Sequence, residues 1–275
     1  MSRLQKLQQL VEKEQTPQYI NNNDRPYTPE KGKDGNAYAL VRFLWDDNND
    51  VPYVTKYQHS WEEKKPGAEK GRWFIEDCPS TLKEKCPVCE ANSEEYEKGI
   101  ENYRRVAQKR KRSQNWYANI LILKDPKHPE NEGTVQLFRF GKKIKEKIDE
   151  AIKPQVIEGM DPPEAFDPFD LDTGANFHLL YKTIEGQNNV DGCKFDKISS
   201  ILEDRKEREE VLSKCKPLAK LVDKSNFKSY DELKKKFEEI TGKNKVVPKP
   251  TPQQIESPEE DDDLDFDIDF EDFKD

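Results

Sequence analysis

The stretch from Cys78 to Glu90, CPSTLKEKCPVCE, constrains this chain more than any other. It brings Cys78, Cys86 and Cys89, three of the five cysteines, into one short segment. Three clustered thiols are one short of the tetrahedral shell of a structural zinc ion. The two-residue spacing of Cys86 and Cys89 lets both sulfurs reach one ion from a tight knuckle. Of the three histidines, His59, His128 and His178, the first lies just upstream at the end of a strand-like run. The set His59, Cys78, Cys86 and Cys89 would close the shell. Cys193 or Cys215 could instead supply the fourth ligand, or be an ordinary buried thiol. A closed shell leaves no position for a reacting water, so the ion would hold structure and not catalyse. A redox C-x-x-C belongs beside a βαβ pattern, which is missing here.

Strand-like runs surround the knuckle. AYALVRFLW (37–45), YVTKYQHSW (53–61), RWFIEDC (72–78), NWYANILIL (115–123), TVQLFRFG (134–141) and NFHLLYKTI (176–184) are rich in aromatic and β-branched residues. Helical stretches are expected near 94–110, at 142–152, at 204–222 and at 229–241. The last has a capping box, Ser229 with Glu232, and Gly242 at the C-cap position. Without a regular βαβ alternation the fold class reads as mainly β with added helices, α+β, built on a small antiparallel barrel. Leu4, Leu7, Leu10 and Val11 share one helical face in an N-terminal arm, residues 1–20. The folded core runs over 21–242, with a zinc subdomain at about 54–95. A Pro-rich linker, 243–255, and an acidic tail, 256–275, follow.

Charge is divided unevenly. The chain carries −9, but residues 256–275, ESPEEDDDLDFDIDFEDFKD, hold twelve acids and one lysine, so the rest is left at +2. A mildly basic body beside an acidic terminus points to nucleic-acid partners. The positive charge gathers at 96–117, YEKGIENYRRVAQKRKRSQNWY. There Arg104, Arg105, Lys109, Arg110, Lys111 and Arg112 stand among Tyr96, Tyr103, Trp116 and Tyr117. Cations follow a phosphate backbone and release its counterions. Aromatic faces stack on unpaired bases and cannot reach bases inside a duplex. The combination therefore favours single strands, although it does not separate DNA from RNA. Neighbouring strand residues face opposite sides, so at least one of Trp116 and Tyr117 belongs to the core. In FRFGKK, Phe138 and Phe140 share a face while Arg139 takes the other, and Lys142 and Lys143 add charge at the strand end. A solvated helix over core aromatics is the plainer reading of each feature alone; together they point to nucleic-acid binding.

The tail alternates acids with Leu264, Phe266, Ile268, Phe270 and Phe273. Repulsion at this density keeps such a segment disordered. It can act as a solubility tail, as a tethered mimic of nucleic acid in a basic cleft, or as a dock for other proteins. No P-loop, H-E-x-x-H or G-x-S-x-G appears, so the common ATPase, metalloprotease and hydrolase signatures are absent. A carboxylate-based nuclease and a zinc-knuckle adaptor binding only proteins are the competing readings. No apolar run approaches the ~18 residues of a membrane span and no signal-peptide core is visible, so a soluble intracellular protein is expected.

The run CPVC…KRKRS…WYANILILKDPKHPENEGTVQLFRFGKKI…GANF resembles the single-stranded DNA-binding proteins of T-even-like bacteriophages. The phrases KDP, PENEG, RFGKK and GANF, in this order after the knuckle, carry the resemblance, which runs from about Asn36 to Lys182. It implies an OB-fold core with an inserted zinc subdomain, and no enzymatic activity. It implies one structural Zn2+ on His59, Cys78, Cys86 and Cys89. A cleft of Lys109 to Arg112, Trp116, Tyr117, Phe138, Arg139, Tyr96 and Tyr103 would take the DNA. Cooperative self-association along DNA, and replication and recombination proteins recruited through the acidic tail, are the implied partnerships. The implied place of action is the cytoplasm of the infected bacterial host. The family's basic N-terminal cluster is missing here, where MSRLQKLQQ has only Arg3 and Lys6.

Overall fold

Alternation of apolar and polar residues over short runs specifies strands with one buried face. In the computed structural model all six expected runs are strands: β1 (Ala37–Leu44), β2 (Val54–Glu63), β3 (Arg72–Asp77), β4 (Arg112–Lys124), β5 (Val135–Phe140) and β6 (Ala175–Ile184). Two short strands, β7 (Gln187–Asn189) and β8 (Lys194–Ile198), are additional. The structure describes residues 25–46, 51–64, 69–156, 158–159, 163–184 and 186–242; the arm, the linker and the tail lie outside them. The named strands pair antiparallel in the order β3-β2-β4-β1-β6-β7, with β5 on β4 and β8 on β6. The fold is thus a mainly antiparallel sheet with a few helices.

β4 organises the sheet. Its first residues pair with β2, its last with β1, and its middle with β5. From it Trp116, Ala118, Ile120 and Ile122 enter one core with Phe43 of β1, Phe138 and Phe140 of β5, and Phe177 and Leu179 of β6. Phe43 lies at the centre, 5.5–6.2 Å from the rings of Phe138, Phe140, Phe169, Phe177 and Phe195. These tilted and edge-on contacts suit aromatic quadrupoles, and each buried ring contributes about 1.5–3 kcal/mol. Helix α3 (Lys142–Ile152) adds Ile144 and Ile148, one turn apart.

A second core lies under the knuckle. Trp61 of β2 stacks on Phe74 of β3 at 4.2 Å. The expected helix near 94–110 is two helices, α1 (Pro87–Glu97) and α2 (Glu101–Lys109). Gly99, at φ +67°, breaks them with a backbone conformation that L side chains rarely adopt. The stretch 204–222 is also divided: α4 (Arg205–Ser213) stops, and a 3-10 turn, Leu218–Val222, begins after Pro217. Helix α5 (Tyr230–Thr241) has both arms of the Ser229–Glu232 capping box and ends on left-handed Gly242. Its Leu233, Phe237 and Ile240 seal the second core against Trp61, Phe74 and Val88.

Gly174, in the GANF phrase, is required by close approach. A Cβ there would collide with the carbonyl oxygen of Asp170, meet that of Asp167 at 2.8 Å and stand 3.3 Å from the Arg42 guanidinium carbon. Gly174→Ala is expected to lower stability by about 1–3 kcal/mol, the usual cost of overpacking. Thermal unfolding monitored by circular dichroism measures it; an unchanged midpoint would show that the turn relaxes freely.

Candidate metal centre and nucleic-acid face

The four proposed metal ligands meet at one point. His59 comes from β2, Cys78 from the end of β3, Cys86 caps α1 and Cys89 lies in its first turn. Their ligand atoms all lie within 4.8 Å of one another, and the first three residues are buried. His59 Nε2 is 3.5 Å from the sulfurs of both Cys86 and Cys89, and Cys78 Sγ is 3.6 Å from Cys89 Sγ. The other ring nitrogen, Nδ1, is 2.9 Å from the carbonyl oxygen of Arg110, which accepts its proton and leaves Nε2 free to ligate. One imidazole and three thiols form a soft N/S donor set with no carboxylate, so the cluster can hold a metal ion of the zinc type.

Electrostatics reinforce this. Burial works against a charged His59, but the hydrogen bonds to Cys78 and Cys89 outweigh it and lift its pKa to about 9. Hydrogen bonds from Cys86 and Cys89 hold the Cys78 thiol far below its ordinary value, while those with Cys78 and Cys89 drive Cys86 far above it. His59, Cys78 and Cys86 are coupled through protons that a divalent cation would displace. The two alternative fourth ligands are elsewhere. Cys193 sits in the aromatic core, where burial pushes its thiol up to about 11, and Cys215 packs beside Leu44 and Leu121.

The basic run continues from this centre. Helix α2 carries Arg104, Arg105 and Lys109, then the chain turns into β4 at Arg112. Lys109, Lys111 and Arg112 are exposed; Arg105 is exposed and paired with Glu101 at 3.2 Å; Arg104 is half-buried. Tyr96 is exposed, and Tyr103 lies half-buried under Lys98 Nζ at 4.3 Å. At the end of β5, beside the same end of β4, Lys142 is half-buried and Lys143 pairs with Asp191 at 3.1 Å. The β2–β4 register puts Lys56 and Tyr57 opposite Asn115 and Gln114; as strand neighbours they take opposite faces, Tyr57 under the Arg112 guanidinium at 4.5 Å and Lys56 against Asp77 at 2.6 Å, so Tyr57 joins the basic run from outside the sequence-derived set. Its signal was the polar alternation of YVTKYQHSW.

Other candidates face inward. Arg110 is 6% exposed, reaches Glu63 at 3.3 Å and lies over Phe237 at 5.3 Å, so its cation serves the second core. Phe138 is wholly buried and offers no face to a base in this structure. Trp116 and Tyr117 diverge as strand neighbours must: Trp116 joins the aromatic core, and Tyr117 joins Val54, Leu137 and Leu218. Both are 8% exposed. Arg139, half-buried, stands directly opposite Tyr117 and hydrogen-bonds its hydroxyl.

The family described as gp32 DNA binding protein like matches residues 33–241, from just before β1 to the last residue of α5. The chain belongs to this family. The single-stranded DNA-binding proteins of Enterobacteria phages T2 and T4 are each 35% identical to it over 215 residues, 76% of this chain and 67% of theirs. The family consists of non-enzymatic DNA-binding proteins, which sets the nuclease reading aside. Its match encloses all four metal ligands and the basic residues from Arg104 to Lys143. Among the described residues no helix is long and apolar enough to cross a membrane.

Proposed function

We propose that this protein coats single-stranded DNA, cooperatively, during phage DNA replication, recombination and repair in the infected bacterial cytoplasm. The observation that carries the reading is the family match over residues 33–241. The cations gathered near one end of β4 support it. Arg104, Arg105, Lys109, Lys111, Arg112, Lys142 and Lys143 would take successive phosphates. Tyr96, Tyr103 and Tyr57 would offer ring surface to bases, while Trp116, Tyr117 and Phe138 support that face from beneath. The curled sheet is read as an OB-fold, with the lobe around about 54–95 as its zinc subdomain. One structural Zn2+ on His59, Cys78, Cys86 and Cys89 would supply folding energy and no reaction. The acidic tail is read as a dock for replication and recombination proteins and a competitor for the basic face; self-association along the strand completes the proposal.

The test is fluorescence anisotropy of labelled oligo(dT), oligo(U) and duplex DNA with the zinc-loaded protein across a salt series. Tight binding to oligo(dT) is expected, with weak binding to duplex. Log affinity should fall by about 0.7 per neutralised phosphate per decade of salt, and Lys111→Ala should reduce that slope by about 0.7. No binding to oligo(dT) at low salt would overturn the proposal and leave the protein adaptor in front. Preference for oligo(U) would move it to RNA.

A further inference from the structure

The side chain of Arg112 does not simply point into solvent. Its Nη1 donates to Ser80 Oγ at 2.7 Å and reaches Cys89 Sγ at 3.6 Å. Ser80 Oγ is in turn 3.0 Å from Cys78 Sγ. With Cys78 as a thiolate, the hydroxyl donates to sulfur and accepts from the guanidinium. One arginine nitrogen thus connects two of the three cysteines, one directly and one through Ser80. Register explains the placement, because Arg112 pairs directly with His59 across β2 and β4. The ring of Tyr57 lies under the guanidinium carbon at 4.5 Å and holds its plane. Three thiolates and a neutral imidazole leave a Zn2+ site at about −1, and Arg112 is the cation that contacts its sulfur.

We propose that Arg112, with Ser80, is a positioning residue of the metal centre and couples it to a phosphate of bound single-stranded DNA. The second half rests on the DNA-binding reading above. Nη1 makes both the Ser80 and the Cys89 contact, and Arg112 as a residue is exposed. A guanidinium has five donors in a fixed fork, so one edge can hold a phosphate while the other holds sulfur. A strand bound there fixes Arg112 against Cys89 and slows loss of the ion. By linkage, the ion preorganises Arg112 for phosphate.

The experiment measures zinc transfer from the loaded protein to a chromophoric chelator, with and without oligo(dT). Arg112→Gln is expected to speed release about ten- to hundred-fold, the usual effect of losing an outer hydrogen-bond partner. Ser80→Ala should give a smaller acceleration. Arg112→Lys should not restore the wild-type rate, since a point charge cannot reproduce the fork. Lys85→Gln removes a nearby exposed cation with no contact to sulfur among the described residues, and should leave release unchanged. Oligo(dT) should slow release from the wild type and not from Arg112→Gln. Wild-type release rates in both Arg112 variants would overturn the positioning role. Equal slowing by oligo(dT) in wild type and Arg112→Gln would overturn the coupling. Absence of oligo(dT) binding to the wild type would instead fail the DNA reading and leave the metal-release comparison standing.

Discussion

Removing the metal is expected to unfold one lobe of this protein and leave the other in place. The lobe around the knuckle has a small core: Trp61, Phe74 and Val88 from β2, β3 and α1, sealed by Leu233, Phe237 and Ile240 of α5. His59 and the three cysteines tie β2, β3 and α1 together, and without an ion their ligand atoms crowd one point. Structural zinc in small domains contributes about 10–16 kcal/mol at neutral pH, more than a core of this size supplies. The aromatic core around Phe43 uses none of the four ligands. Amide hydrogen exchange after chelation should therefore show lost protection in β3, α1 and α5, with β1, the middle of β4 and β6 retained. Cys86→Ser should behave like the chelated protein. Helix α5 makes the prediction specific, since it lies far from the knuckle in sequence, supplies no ligand, and unfolds with it through its packing on Trp61, Phe74 and Val88. Retained protection in α5 would show that its packing does not depend on the ion.

Acid should act in the same direction as chelation. Metal binding displaces protons from Cys and His, so its stabilisation is present at neutral pH and lost as falling pH returns them.

Much of this architecture is legible locally. Aromatic and β-branched richness in NWYANILIL and TVQLFRFG places β4 and β5, and Ser229, Glu232 and Gly242 mark both ends of α5. Knuckle spacing and a nearby histidine are enough to bring four ligands together. What is not legible is which of two faces a flanking element covers. Arg110 and Arg112 stand two apart in one basic run, yet one lies beneath the lobe against Phe237 while the other stays exposed. Their difference depends on α5, more than a hundred residues later. Phe138 and Trp116 look like surface aromatics beside charge, but β5 and β6 close over the core they enter. β7 and β8, built from QNN and KFDKI, have too little apolar alternation to announce a strand and exist because β6 has edges to pair.

Arg42→Met is expected to cost about 1–3 kcal/mol, the penalty of a buried acceptor left dry, although the position reads as a solvent-facing charge. In AYALVRFLW, Val41 and Phe43 enter the core, so Arg42 points to the opposite face. That face is covered. Arg42 is wholly buried, and its Nη2 donates to the carbonyl oxygens of Asp170, Leu171 and Ser199 at 3.1, 3.2 and 2.7 Å. Nη1 donates to Asn176 Oδ1 at 3.3 Å. The guanidinium therefore binds the Asp167–Gly174 turn and the segment after β8 to the back of β1, with Asp170 and Asp172 supplying nearby negative charge. Methionine fits the volume but leaves the Ser199 carbonyl without its donor, at about 1–3 kcal/mol if it stays dry, while the carbonyls of Asp170 and Leu171 keep the amides of Gly174 and Ile201. Relaxation of the turn toward water limits the cost. Denaturant unfolding gives the loss directly. Arg42→Lys, which keeps the charge but not the fork, should recover only part of it. A methionine variant as stable as the wild type would mean that water replaces the guanidinium at no cost, and that Gly174 packing, the Arg208–Asp172 ion pair and the backbone bonds from Ser199 and Ile201 suffice to hold the turn.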